Sequence, residues 1–268
     1  MNTNALHNNT AEQQATFDAL DLENKVKKMY HDVAINPHGD FHFEMGRVMA
    51  ERLGYNSMDL DLIPQNAIDS FAGVGYYFDL ANIQHGEHVI DLGSGSGMDA
   101  FVAALKAGRK GSVTGVDMTD EQLEKSESLR KLHGFEFVNF VKGYIQATQF
   151  TDNRFDVVIS NGVINLAVNK LDVFKEAARV LKPGGRLAIA DIVTEVQLPE
   201  NITCDATLWA ACIGGALHEG TYLDAIRRAG FEIKEVRENT EYQFISDNAK
   251  WATDTYGVKS ISILAVKK

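Results

Sequence analysis

Cysteine is nearly absent from this chain. Cys204 and Cys212 are the only two among 268 residues, which excludes a disulfide framework and points to a reducing compartment, the cytoplasm. Proline is scarce too, with Pro37, Pro64, Pro183 and Pro199. None stands before a cysteine or in an Asn-Pro-Pro-aromatic run, so the local signatures of base methylation in nucleic acids are missing. Positive charge is also short. With 26 Lys and Arg against 37 Asp and Glu, the net charge is −11, a field that repels phosphate backbones and disfavours a nucleic acid partner. No apolar run approaches membrane-spanning length, and the opening MNTNALHNNTAEQQATF has neither the basic flank nor the apolar core of a secretory signal. Those first residues are expected to be flexible.

Glycine, by contrast, is concentrated where it is informative. In VIDLGSGSGMDA, Val89, Ile90 and Leu92 read as a buried strand, and Gly93, Ser94, Gly95, Ser96 and Gly97 form a turn that few side chains obstruct. Apolar residues then return at helical spacing at Met98, Phe101, Val102 and Leu105. A glycine turn between a strand end and a helix start presents backbone amides to a ligand. The third glycine arrives too early for the dinucleotide fingerprint, and Asp91 under the turn would repel a pyrophosphate. An acid there suits the ammonium group of an amino acid, which S-adenosylmethionine carries in place of any phosphate. One strand on, GSVTGVDM ends in Asp117, a carboxylate able to accept both ribose hydroxyls. Thr119 and Gln122 then show a capping-box pattern opening the next helix.

The remainder has the alternation of a doubly wound α/β fold. VKKMYHDVA and FHFEMGRVMAERLGY read as helical, the second stopping at Gly54, and make an N-terminal helical cap over 1–85. The core, 86–268, continues with strands around Val138, from Phe155 and from Gly185, with a helix over 171–181 that LKPGG ends. A charged strand from Phe231 and the terminal SISILAVKK complete the sheet. A mixed segment, 195–219, is too long for an ordinary connection and is expected to cover the substrate.

With these residues in place, the chain resembles the class I S-adenosylmethionine-dependent methyltransferases, and within them the arsenite methyltransferases. The likeness covers 26–231 through VKKMY, LGY followed by SFAGVG, VIDLGSGSGMDA, TGVDMT, VVISNGVINL, RVLKPGGRLAIADIV and CIGGAL. It implies a Rossmann-like, seven-stranded sheet and S-adenosylmethionine as cofactor. Gly93, Ser94, Gly95 and Gly97 would hold the methionine part, Asp117 the ribose and Met118 an adenine face. Tyr144 and Ile145 would border the adenine edge, Asn161 and Gly162 would lie beside the sulfonium, and Tyr30 would close over the cofactor.

The departures bear on substrate. Arsenite methyltransferases hold trivalent arsenic with cysteines from the segments corresponding to SFAGVG, SNGV and CIGGA, and this chain has Val74 and Gly162 at two of those places. Cys212 is retained, and Cys204 could supply a second thiol. Arsenic binds tightly to several thiolates, so the acceptor is expected to be a different small molecule. Tyr76, Tyr77 and Trp209 are candidates to line its pocket between the cap and the insertion, and His218 is the candidate general base. His31, His38 and His42 fit no standard metal-ligand spacing, and no metal is expected. Two other readings stand beside this one: a genuine arsenite methyltransferase using Cys212 and Cys204, and a non-catalytic S-adenosylmethionine binder. Monomer and homodimer both remain open.

Overall fold

The computed structural model describes residues 5–199 and 213–268, with side chains from residue 20 onward. Seven strands form one continuous sheet path in the order β3-β2-β1-β4-β5-β8-β7. They are β1 (His88–Leu92), β2 (Ser112–Asp117), β3 (Val138–Lys142), β4 (Phe155–Asn161), β5 (Leu181–Thr194), β7 (Phe231–Glu238) and β8 (Lys259–Lys267). The two-residue β6 (Leu217–His218) pairs with the end of β5. Strands β1 to β5 run parallel, and β8 is antiparallel to both of its neighbours. Order reverses between β1 and β4, so the crevice outside their carboxyl ends is where an open α/β sheet binds ligands.

Residue alternation explains the two-sided core. Val89, Val157, Ile159 and Ala188 fall in one buried cluster, while their neighbours Ile90, Val158, Leu187 and Ile189 fall in the other. Successive side chains on a strand point to opposite faces, and a central parallel strand must be apolar on both. Helix α6 (Met98–Ala107) covers the first face, where Phe101 is fully buried. Helices α8 (Lys170–Val180) and α9 (Glu219–Arg228) cover the second through Phe174 and Tyr222, whose rings meet edge-on at 5.3 Å.

The cap begins with α1 (Ala5–Ile35), so the segment read as flexible is helical from Ala5. No glycine or proline precedes Pro37, and nothing interrupts the helix before it. The second expected cap helix is shorter than FHFEMGRVMAERLGY. Gly46, at φ 87° and ψ −167°, breaks it, leaving α2 (Arg47–Leu53) capped by Gly54 at φ 112°. Three short helices follow, α3 (Ser57–Asp61), α4 (Gln65–Asp69) and α5 (Phe78–Ala81). In LKPGG the strand begins as soon as the helix ends: Leu181 pairs with Phe155, and pairing then jumps to Arg186 opposite Val157, so 182–185 bulge.

The anticipated capping box at α7 (Asp120–Leu132) is not formed, because Thr119 makes no side-chain cap. Gln122 turns instead to the glycine loop and to α1, accepting from Ser96 Oγ at 2.5 Å and donating to the Tyr30 carbonyl at 2.8 Å. The sequence reading named neither the short cap helices α3 to α5 nor the longer α10 (Asp247–Tyr256). Its ends were nonetheless written in the chain: Ser246 Oγ caps the Ala249 amide, and Gly257 adopts φ 60°.

Candidate active site

At the carboxyl ends of β1, β2 and β4 lie two adjoining chambers that share Tyr30, Gly93, Gly95 and Val163. The larger, of ≈ 290 Å³, is bounded by Val26 of α1, Asp117, Met118, Tyr144 and Ile145. The smaller, of ≈ 60 Å³, is bounded by Asp91, Ser94, Asp99, Asn161 and Phe71. The strand ends thus bring Asp91, Asp117 and Asn161 to one edge, as their places in the sheet register require.

The glycine turn has the conformation its sequence demands. Gly95, at φ 51°, donates its amide to Asp117 Oδ2 at 2.8 Å, and the Thr119 amide donates to Asp117 Oδ1 at 2.9 Å. The carboxylate of Asp117 is therefore fixed by one backbone donor per oxygen, with lone pairs to spare for a diol. Gly97, at φ 96°, stands outside both chamber walls. A Cβ there would come within 2.7 Å of the Phe140 ring, so its role is the tight passage into α6.

The small chamber is strongly acidic. Asp91 and Ser94 each keep a buried side-chain oxygen, Oδ2 and Oγ, without a hydrogen-bond partner. Burial, and after it the charges of Asp99 and Asp117, raise the Asp91 carboxyl well above the usual range. Asp99, also raised by burial, is held by three donors: Tyr55 Oη at 2.6 Å, Tyr77 Oη at 2.7 Å and Asn161 Nδ2 at 3.1 Å. Neither chamber has a lysine or arginine in its wall among the described residues. A positively charged group is what this arrangement lacks, and a pyrophosphate would be repelled.

Asn161 is committed to the protein itself. Its Oδ1 accepts from the amides of Val74 and Gly75 at 2.7 and 3.3 Å, and its Nδ2 donates to the Gly75 carbonyl at 3.0 Å. The cap segment 71–77 is thereby registered against the end of β4.

The other candidates are dispersed. Tyr77 is fully buried and spends its hydroxyl on Asp99, so it supports the site from behind and faces neither chamber. Tyr76 borders a separate groove of ≈ 240 Å³ with Asp79 and Arg237. His218, at the start of α9, lines neither chamber. Gly162, at φ 70°, lies behind the wall, against Val74. Trp209, Cys204 and Cys212 fall outside the described residues.

Sequence reading missed Tyr55, Asp99 and Gln122. Asp99 sits one residue into α6, where an acid is ordinarily explained by the helix dipole. Only the arrival of two tyrosines from the cap shows its second use.

Comparison with known proteins matches a methyltransferase domain family to residues 83–248. An arsenic(III) S-adenosylmethionine methyltransferase from Chlamydomonas reinhardtii superposes with a TM-score of 0.64 at 31% identity, over 84% of this chain and 75% of that one. The chain belongs to the arsenite methyltransferase family. The arsenite methyltransferase of Halobacterium salinarum is 39% identical over 206 residues, 76% of this chain and 52% of that protein. That of Aquipseudomonas alcaligenes is 43% identical over 153 residues, 54% of this chain and 44% of its own length. The chain thus spans about half the length of the curated relatives it matches. S-adenosylmethionine is the cofactor of this family, and the residues present suit it: two buried unpartnered oxygens in an acidic chamber for the charged methionine end, and an anchored Asp117 in the larger chamber for a ribose.

Proposed function

We propose that this arsenite methyltransferase family member catalyses methyl transfer from S-adenosylmethionine to a small-molecule acceptor other than thiolate-held arsenite. The observation that carries the cofactor half is the buried, unpartnered Asp91 Oδ2 in a chamber without a basic side chain among the described residues. When bound, the cofactor supplies an electrophilic methyl group on a sulfonium. The protein's own task is alignment and exclusion of water. Asp91 and Ser94 would receive the ammonium end, Asp117 the ribose, and Met118, Tyr144 and Ile145 the adenine. Tyr30 and Val26, carried by α1, would close the cleft.

The acceptor half rests on Val74 and Gly162. A Cβ built on Gly162 would stand 3.1 Å from Val74 Cγ1, so the two positions are neighbours, and between them they offer a buried isopropyl group and no side chain. Two thiolates here would adjoin; hydrocarbon does not bind a thiophilic ion. The identity to arsenite methyltransferases supports the competing reading, arsenite methylation using Cys212 and Cys204. The cap would roof the acceptor, with the core running from 86. A cytoplasmic setting and a non-nucleic-acid acceptor accord with two cysteines and a charge of −11.

The test is methyl transfer from labelled S-adenosylmethionine to a panel of arsenite, thiols, amines and phenols. Turnover of an organic acceptor with little or none of arsenite is expected. Robust arsenite turnover that vanishes in Cys212→Ser would replace the reading with its competitor. Paired Val74→Cys and Gly162→Cys should add arsenite binding, whereas Gly162→Cys alone meets both a left-handed backbone and the Val74 methyl.

A further inference from the structure

Gln122 of α7 is 1% exposed, and its side chain joins the glycine turn to α1 beside the small chamber. Its Oε1 accepts from Ser96 Oγ of the turn at 2.5 Å, and its Nε2 donates to the Tyr30 carbonyl of α1 at 2.8 Å. Ser96, Gln122 and Tyr30 all line that chamber, and of the three only Tyr30 also lines the larger one. The bridge requires an amide. A carboxylate could not donate to the carbonyl, and an ammonium could not accept from the hydroxyl. Nor is the bridge needed to fasten α1, which has anchors of its own. Lys125 Nζ donates to the Ala34 carbonyl at 3.0 Å, Ser70 Oγ donates to the Val33 carbonyl at 3.1 Å, and Val26, Met29 and Val33 are buried along one face of the helix.

We propose that Gln122 is a positioning residue for the amino-acid end of the methyl donor, setting the gap between the glycine turn and Tyr30 that this end enters. The proposal rests on the cofactor reading above, in which the ammonium meets Asp91 and Ser94 in the small chamber and the adenosine occupies the larger. The unpartnered Asp91 Oδ2 and Ser94 Oγ serve a ligand only at hydrogen-bond distance, yet they border a turn whose Gly93, Gly95 and Gly97 all adopt positive φ. Glycine restrains such a turn least of all residues. Gln122 supplies the restraint from outside: a Cβ built on Gly95 would stand 3.7 Å from its Oε1, so the amide lies against the turn backbone. A wall held in place before the ligand arrives lowers the ordering cost of binding. Because the bridge and both of its anchors border the small chamber, its effect falls on ligands that carry an amino-acid end.

The experiment is calorimetric binding to the intact chain of two ligands: S-adenosylhomocysteine, which has the amino-acid end, and methylthioadenosine, which keeps the adenosine and the thioether without it. The unaltered protein should bind the first at least about tenfold more tightly. In Gln122→Met, which keeps the length of the side chain and loses the amide, S-adenosylhomocysteine should weaken about tenfold while methylthioadenosine changes less than about threefold. Ser96→Ala cuts the bridge at its other anchor and should show the same selectivity, and this variant serves if Gln122→Met does not fold. In the double variant the two losses should combine to less than their product, because either change alone breaks the same bridge. Equal affinity of the unaltered protein for both ligands, unchanged affinity in Gln122→Met, fully multiplicative losses, or equal weakening of both ligands would each overturn the proposal, the last by showing that Gln122 only fastens α1 to α7. Failure of both ligands to bind the unaltered protein would remove the cofactor reading as well, so the two failures are distinguishable.

Discussion

Asp117 illustrates how a single side chain does two jobs whose energies can be separated. Its oxygens organise the site from within, one on the Gly95 amide and one on the Thr119 amide, and the residue also lines the larger chamber. Charge-assisted hydrogen bonds contribute about 1.5–3 kcal/mol each, so Asp117→Ala should weaken S-adenosylmethionine by at least about tenfold. Two backbone donors also lose their partner, and the melting temperature should fall with the affinity. Asp117→Asn retains one acceptor oxygen and should lie between the two. Calorimetry that finds cofactor affinity unaltered in Asp117→Ala would take the residue out of the site.

Four elements meet at another buried carboxylate, away from the chambers. Asp191 of β5 accepts from the Tyr222 hydroxyl of α9 at 2.7 Å and from the amide of Asn165 at 3.0 Å, in the 3₁₀ turn Ile164–Leu166, while the charge of Lys170 at the start of α8 acts on it. The turn so held includes Leu166, which lines the larger chamber. Burial raises Asp191 from 3.8 to about 6, the hydrogen bonds and Lys170 opposing, and burial lowers Lys170 from 10.5 to about 8. Between pH 3.8 and about 6 the folded chain binds the Asp191 proton more strongly than the unfolded one, so this group's stabilisation is complete below pH 3.8 and is lost as pH rises through about 6. Between about pH 8 and 10.5 the unfolded chain holds the Lys170 proton more strongly, so stability rises with pH there. The cluster therefore contributes least between about pH 6 and 8. Thermal unfolding against pH should show the acid-side slope reduced in Asp191→Asn and the alkaline slope reduced in Lys170→Met. Unchanged slopes would mean that neither group titrates on folding.

Across the whole molecule, the site is built by seating the cap on the sheet, and the energies identify what holds it there. Lys27 bonds Glu23 and Tyr144 across the mouth of the larger chamber, but Lys27 and Glu23 are each 32% exposed, where ion pairs contribute about 0–1 kcal/mol. Val26, Met29 and Val33, at 3%, 9% and 0% exposure, lie on one face of α1 and bury far more. Val26→Asp should therefore release the helix where Lys27→Met does not. The expected result is at least about a tenfold loss of S-adenosylmethionine affinity, with faster amide hydrogen exchange confined to α1. Full affinity in Val26→Asp would show that the cleft closes without this helix.

Local chemistry made much of this legible in the chain alone. Apolar runs of strand length, a glycine turn and acids at two successive strand ends determine a doubly wound sheet with its cofactor crevice, because each signal lies within a few residues and reports backbone geometry or strand burial. Asp91, Gly93, Ser94, Gly95 and Asp117 could be named in advance for that reason, Tyr144 only through the family resemblance, and all line the chambers. Contacts between distant segments were not legible. Tyr77 reads as an aromatic near the site, yet only folding turns its hydroxyl onto Asp99, 22 residues away. Gln122 satisfies a capping pattern and is drawn off by Ser96 and the Tyr30 carbonyl. Val74 and Gly162 become neighbours only when Asn161 fastens the cap loop to β4. Sequence determined which backbone would line the crevice at the strand ends; tertiary structure decided which side chains remain free to touch a ligand, because a buried polar group takes the nearest partner in space, whatever its distance along the chain.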